Sequence, residues 1–159
     1  MQLVSTLKRT LAITAVMGSL VLPSNSRAQT EPPSEPPVEW TATAIDYSNV
    51  HYPWPVEYLD VELFGLDLRM AYMDVEPAGV PNGMTVVVFH GMNFFAAPYE
   101  PMIRALTEAG FRTIAIDRLG YGRSSKPDIH YNLHIPARNT RALLDHLGIE
   151  RAAVVGHSM

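Results

Sequence analysis

The sequence contains no cysteine. That excludes disulfide staples, thiolate metal sites, a cysteine nucleophile and a lipidated amino-terminal cysteine. Basic residues are few and scattered, twelve Lys and Arg against sixteen Asp and Glu for a formal charge of −4. No Lys/Arg-rich run is present to follow a nucleic-acid backbone, so nucleic acid is not an expected partner. Six histidines occur, none in H-E-x-x-H spacing, and no metal site is expected. His130 and His134 straddle a helix start and read as surface residues. No apolar run reaches the roughly 18 residues that a membrane-spanning helix needs. There is no internal repeat. What is present is a globular composition, 47% hydrophobic and 18% charged over 159 residues, enough for one modest domain.

Residues 1–28 have the pattern of a secretory leader. Lys8 and Arg9 form a positive start, and Thr10 to Leu22 is an apolar stretch of thirteen residues. Pro23 breaks it, and Ser26-Arg27-Ala28 resembles a small-x-small cleavage site. Cleavage after Ala28 is the expectation, with an uncleaved anchor as the alternative. It removes three cations and no acid, moving the formal charge from −4 to −7. The expected product is exported, periplasmic or secreted, with no stable membrane span.

Gln29 to about Val38 is a polar, proline-rich linker that cannot bury a core. Trp40 to Pro55 reads as an extended tether, whose Tyr52-Pro-Trp-Pro55 packs two aromatics on the domain, with a ligand-contacting lip as the alternative. From Val56 to Val75 apolar residues alternate with charged ones, with Gly65 between two such runs. That predicts an antiparallel hairpin with one apolar face. Thr85 to Phe89 is a continuous β-branched and aromatic run, the pattern of a strand covered on both sides. Pro98 to Ala109 predicts a helix with Met102, Leu106 and Ala109 on its apolar stripe, stopped by Gly110. Phe111 to Ile116 predicts a strand ending at Asp117. Asn132 is placed to cap a second helix, with Pro136 in its first turn, Thr140, Leu143, Leu144 and Leu147 on its stripe, and Gly148 at its end. A last strand, Ala152 to Val155, runs into Gly156-His157-Ser158-Met159.

Strands alternating with helices predict parallel βαβ units joined by right-handed crossovers. Functional loops of such sheets lie at the carboxyl ends of the strands. Three motifs fall there. Gly156-His157-Ser158 is the start of G-x-S-x-G, a sharp strand-to-helix turn that lifts a serine hydroxyl out of the sheet; taken alone such a triplet is most often an ordinary turn. His90-Gly91-Met92-Asn93 is placed to supply backbone N–H donors to an oxyanion, or else is a turn with a structural histidine. Asp117 to Gly122 contains G-x-G, but Ser125 stands where a third glycine would complete a dinucleotide fingerprint. That loop reads as a shaped rim, and no cofactor is expected.

Together these strings resemble the amino-terminal half of the α/β-hydrolase fold superfamily over Val56 to Met159. The resemblance rests on the strand into His90-Gly91 and on Gly110-Phe111-Arg112 through Asp117-Arg118-Leu119-Gly120-Tyr121-Gly122-Arg123-Ser124 to Pro127. Leu143 to Ile149 and Gly156 to Met159 complete it. It implies an α/β fold with a mostly parallel sheet and flanking helices, incomplete at its carboxyl end. It implies Ser158 as nucleophile and the backbone N–H groups of Met92 and Met159 as oxyanion donors. His90, Gly91, Asn93, Gly156 and His157 would shape the site. Asp117 and Gly120 to Gly122 would be structural. A serine separates the chain from relatives with a nucleophilic aspartate, such as haloalkane dehalogenases and epoxide hydrolases. The implied chemistry is an acyl-enzyme route on a small ester, thioester, amide or activated C–C bond. The acid and histidine would follow the serine in chain order. Residues 29–159 alone are then expected to be inactive and poorly soluble, with an open edge at the last strand. A non-catalytic binding member of the fold and a truncated gene product are the alternatives.

Overall fold

The computed structural model describes residues 42–158. The leader, the linker and Met159 lie outside the described residues. Two strands open the domain, β1 (Glu57–Leu63) and β2 (Leu66–Val75), paired antiparallel with Leu63 opposite Leu66. Phe64 and Gly65 between them both take positive φ, 54° and 74°. That is the two-residue turn whose twist matches that of the flanking strands. β3 (Thr85–Phe89) follows, then a 3₁₀ turn (Ala97–Tyr99), α1 (Glu100–Glu108), β4 (Arg112–Ile116), α2 (His134–His146) and β5 (Ala153–Gly156). The strand order is β1-β2-β4-β3-β5, with β1, β2 and β4 antiparallel and β4, β3 and β5 parallel. The sheet is therefore mixed, its parallel half being the part expected from the alternating strands and helices.

β3 has a neighbour on each side, so Val86, Val87 and Val88 are all buried. Their alternation divides the core. Val87, Ile114 and Ile116 pack with Ile135 and Leu143 of α2, whereas Val86, Val88 and Ala115 pack with Ile103 of α1. The two helices thus cover opposite faces, and the chain reverses its direction of travel across the sheet at β3. Such a reversal opens a crevice at the carboxyl ends of the strands. Register fixes what meets there: Phe89 lies opposite both Ile116 and Gly156. The residues that leave the sheet at that row are His90, Asp117 and His157, followed at once by Ser158.

Two helix faces and one strand face differ from those expected from the sequence. Met102 is 38% exposed, and the buried side chains of α1 are Ile103 and Thr107. Ala109 is exposed as well and Leu106 only partly covered, so the covered stripe runs through Ile103 and Thr107, one residue later than the expected one. In the complete protein Ile103→Ala is expected to cost about 3 kcal/mol and Met102→Ala under about 1 kcal/mol. Denaturant midpoints check this, and the reverse ranking would contradict it. In α2, Asn132 does cap, its Oδ1 accepting from the N–H of His134 (2.9 Å) and of Ile135 (3.2 Å). The stripe adds Ile135 and a buried Asn139 to Leu143, and leaves Thr140, Leu144 and Leu147 only partly covered. β2 has one apolar face only near its turn. From Met70 to Met73 every residue is buried, because β4 pairs along its other edge and both faces are covered. β5 pairs only with β3 among the described strands, and Val154 is 64% exposed. Among the described residues no helix is long and apolar enough to cross a membrane.

Candidate active site

β5 ends at Gly156, and the His157 N–H still bonds back to the Phe89 carbonyl at 3.2 Å. The chain then turns out of the sheet at Ser158, whose φ is 62°. A left-handed backbone costs an L-residue about 1–2 kcal/mol, and is kept only where surrounding structure enforces it. A left-handed residue at a strand end is the backbone form expected of a nucleophile elbow.

Gly91 is the residue that the elbow packs against. A Cβ added there would stand 3.2 Å from the Ser158 Cβ, the His157 carbonyl oxygen and His157 Nδ1. A bare Cα thus lets the β3 turn come close to the serine without crowding, where a side chain would make the neighbours give by a few tenths of an ångström. Met92 and Asn93 form the middle of that turn, closed by the Phe94 N–H to the Gly91 carbonyl at 3.2 Å, with Asn93 at φ 64°. The Met92 side chain is 46% exposed.

His90 is not available as a base. Its Nε2 accepts the Arg118 N–H at 3.0 Å, so the proton sits on Nδ1, which donates to the Gly91 carbonyl at 2.8 Å. The ring is 1% exposed. Burial lowers its pKa below the ordinary 6.5, opposed by the bond to Gly91, with the Arg118 guanidinium lowering and Asp117 raising it further. Below 6.5 the unfolded chain takes up a proton that the folded chain refuses. Stability contributed by neutral His90 is thus complete above that pH and is lost as pH falls below it. The Tm of the complete protein should fall between pH 7 and pH 5, and less steeply for His90→Gln. Equal slopes would contradict this role.

Sequence reasoning missed Tyr99. Its hydroxyl lies 3.0 Å from His157 Nδ1 and 3.4 Å from the Gly91 nitrogen, tying elbow and β3 turn together. Nothing local marks it, since its partners lie 8 and 58 residues away. Phe94 closes the same corner edge-on to the His157 ring.

Asp117 stands at the same edge but is fully engaged elsewhere. Its Oδ1 accepts the Ala96 N–H at 2.6 Å, and its Oδ2 accepts the Arg123 N–H at 2.8 Å and the Tyr52 hydroxyl at 2.5 Å. Gly122 is buried against this carboxylate. A cavity of about 280 Å³ borders Ser158 and His157 on the α2 side, walled by Phe89, Arg118, Pro136 and Thr140. A second one of about 190 Å³, between Met70, Ile116, Tyr121 and Ile135, touches neither Gly91 nor Ser158. Among the described residues no three His, Asp or Glu side chains cluster to hold a metal ion.

A parallel sheet reversing at β3, with a left-handed serine lifted from the neighbouring strand end against a bare glycine, defines the α/β-hydrolase class of fold. The family described as alpha/beta hydrolase fold matches residues 85–159. The chain is similar to epoxide hydrolase A of Mycobacterium tuberculosis, 38% identical over 105 residues, covering 65% of this chain and 31% of the relative. A putative non-heme haloperoxidase of Mycobacterium phage D29 is 40% identical over 80 residues, covering 50% of this chain and 29% of the relative. Among solved structures, a probable hydrolytic enzyme from Pseudomonas aeruginosa PAO1 superposes with a TM-score of 0.66 at 47% identity, covering 69% of this chain and 35% of that one. The chain belongs to the α/β-hydrolase fold superfamily. It spans about a third of the length of the curated relatives it matches.

Proposed function

We propose that the complete protein is a serine hydrolase that cleaves a small acyl substrate through an acyl-enzyme on Ser158. The observation that carries this reading is Ser158 at φ 62°, held against Gly91 at the carboxyl edge of the sheet. In the proposed step the Ser158 Oγ bonds to the substrate carbonyl carbon and its proton passes to a base. The carbonyl electron pair moves onto oxygen, facing the backbone N–H groups of Met92 and Met159. Collapse expels the leaving group, which takes the proton, and water repeats the sequence on the acyl-serine. Because both ring nitrogens of His90 are engaged, the base is assigned to a histidine after Ser158 in the complete protein, supported by an acid between them.

Epoxide hydrolase and haloalkane dehalogenase are names among the relatives, but the serine argues against those reactions here. Attack of a serine hydroxyl on an sp³ carbon would leave an alkyl ether, which offers no carbonyl for water to attack in the second step. Acyl-serine does offer one. The substrate class is therefore an ester, thioester or related acyl compound. The test is labelling of the complete protein by a fluorophosphonate, with Ser158→Ala as the control. One adduct per chain, absent from the variant, is expected. An unlabelled wild type would reject the serine chemistry in favour of a non-catalytic binding role.

A further inference from the structure

The segment before β1 reaches the site from behind. Tyr52 is 9% exposed, in one core with Val86, Val88 and Ala96. Its hydroxyl donates to Asp117 Oδ2 at 2.5 Å, while Asp117 Oδ1 accepts the Ala96 N–H at 2.6 Å. Ala96 is the last residue of the loop that begins at Gly91. One carboxylate therefore links the segment to the far end of the proposed oxyanion turn. A second link runs through Phe95, whose ring meets Tyr47 at 4.9 Å and Tyr52 at 5.9 Å between centroids. The segment is itself clamped: Arg123 donates to the carbonyls of Val50 (2.9 Å) and Tyr47 (3.3 Å) and lies 4.4 Å over the Tyr52 ring. Burial and the neighbouring Asp117 raise the Tyr52 pKa far above its ordinary value, so its hydroxyl remains a donor.

The near end of the turn is pinned by His90 and Tyr99 through Gly91. Met92 and Asn93, between the two anchors, are exposed. Where an oxyanion donor sits then depends on both anchors. We propose that Tyr52 is a positioning residue for the oxyanion turn, acting from the amino-terminal segment through Asp117 and Ala96. This rests on the serine-hydrolase reading for its catalytic meaning, though not for the physical coupling. The physical warrant is that donors stabilise a transition state only where they are preorganised, and small misplacements from distant changes are costly.

Tyr52→Phe in the complete protein is the test, because it keeps the ring against Phe95 and Arg123 and removes only the bond to Asp117. Per fluorophosphonate-titrated site, kcat for an aryl ester should fall about tenfold with KM within about twofold. The Ki of a trifluoromethyl ketone, which mimics the tetrahedral intermediate, should weaken by a similar factor. Amide exchange at Ala96 should quicken at least about tenfold, because its carboxylate acceptor is loosened. A purely structural role would lower Tm and the titratable fraction and leave kcat per site and Ki unchanged; that result overturns the proposal. If Tyr52→Phe does not fold, Arg123→Gln loosens the same clamp with the Arg123 N–H intact. It should lower kcat per site about threefold or more, and an unchanged kcat would overturn the proposal. Should the wild type not label at all, the serine reading fails, and Ala96 exchange alone decides the coupling: quickened exchange upholds it and unchanged exchange overturns it.

Discussion

Ser158→Ala in the complete protein is expected to lower kcat for an aryl ester by about 10⁵-fold or more, the scale seen when a nucleophile that acts as a unit with its base is removed. Stability should move by less than about 1 kcal/mol. The elbow keeps its backbone, since alanine at φ 62° meets the same left-handed cost that serine already bears. Its β-carbon retains the contact with Gly91. Met92→Ala is the internal comparison. Its proposed part is played by a backbone N–H, and its side chain is 46% exposed, so turnover should stay within a few-fold. Steady-state kinetics on purified variants measure both. Undiminished turnover by Ser158→Ala would place the chemistry elsewhere.

Gly122→Ala is expected to be strongly destabilising. Gly122 has φ 50°, which by itself costs an added Cβ about 1–2 kcal/mol. The methyl would also overlap the Asp117 carboxylate carbon and both of its oxygens. That carboxylate cannot step aside without releasing Ala96, Arg123 or Tyr52, and hydrogen bonds to a charged group contribute roughly 1.5–3 kcal/mol each. A total loss of about 3 kcal/mol or more follows. Gly148→Ala separates the two causes. Gly148 also has positive φ, 66°, but no atom lies within 4 Å of its would-be Cβ, so only the backbone cost of about 1–2 kcal/mol applies. Denaturant unfolding of the two variants in the complete protein should differ by about 2 kcal/mol. Equal stabilities would show that the Asp117 cluster yields freely.

The parallel half of the sheet was legible because β-branched runs such as Thr85 to Phe89 have few other destinations. The edge that gathers His90, Asp117 and Ser158 followed from strand polarity alone. Asn132 was legible as a cap because capping is local. The turn of α1 was not: Met102 and Ile103 are adjacent and both apolar, so spacing to Leu106 fits either one facing the sheet. The pairing of β2 with β4 was equally invisible, because it joins segments about 40 residues apart. So were the site's polar ties. Tyr99 with His157 and Tyr52 with Asp117 are 58 and 65 residues apart. Each looks in sequence like an ordinary aromatic. The oxyanion donor assigned to Met159 lies outside the described residues, and that of Met92 rests on its place after Gly91.

The site of the acyl group during turnover distinguishes an acyl-enzyme at Ser158 from every alternative. The complete protein should be mixed with a slowly deacylating aryl ester, quenched in acid and digested with trypsin. The mass of one acyl group is expected on the peptide that starts at Ala152, after Arg151, and localised to Ser158 within it. No acyl adduct during active turnover, or an adduct on another residue, would contradict the acyl-enzyme at Ser158.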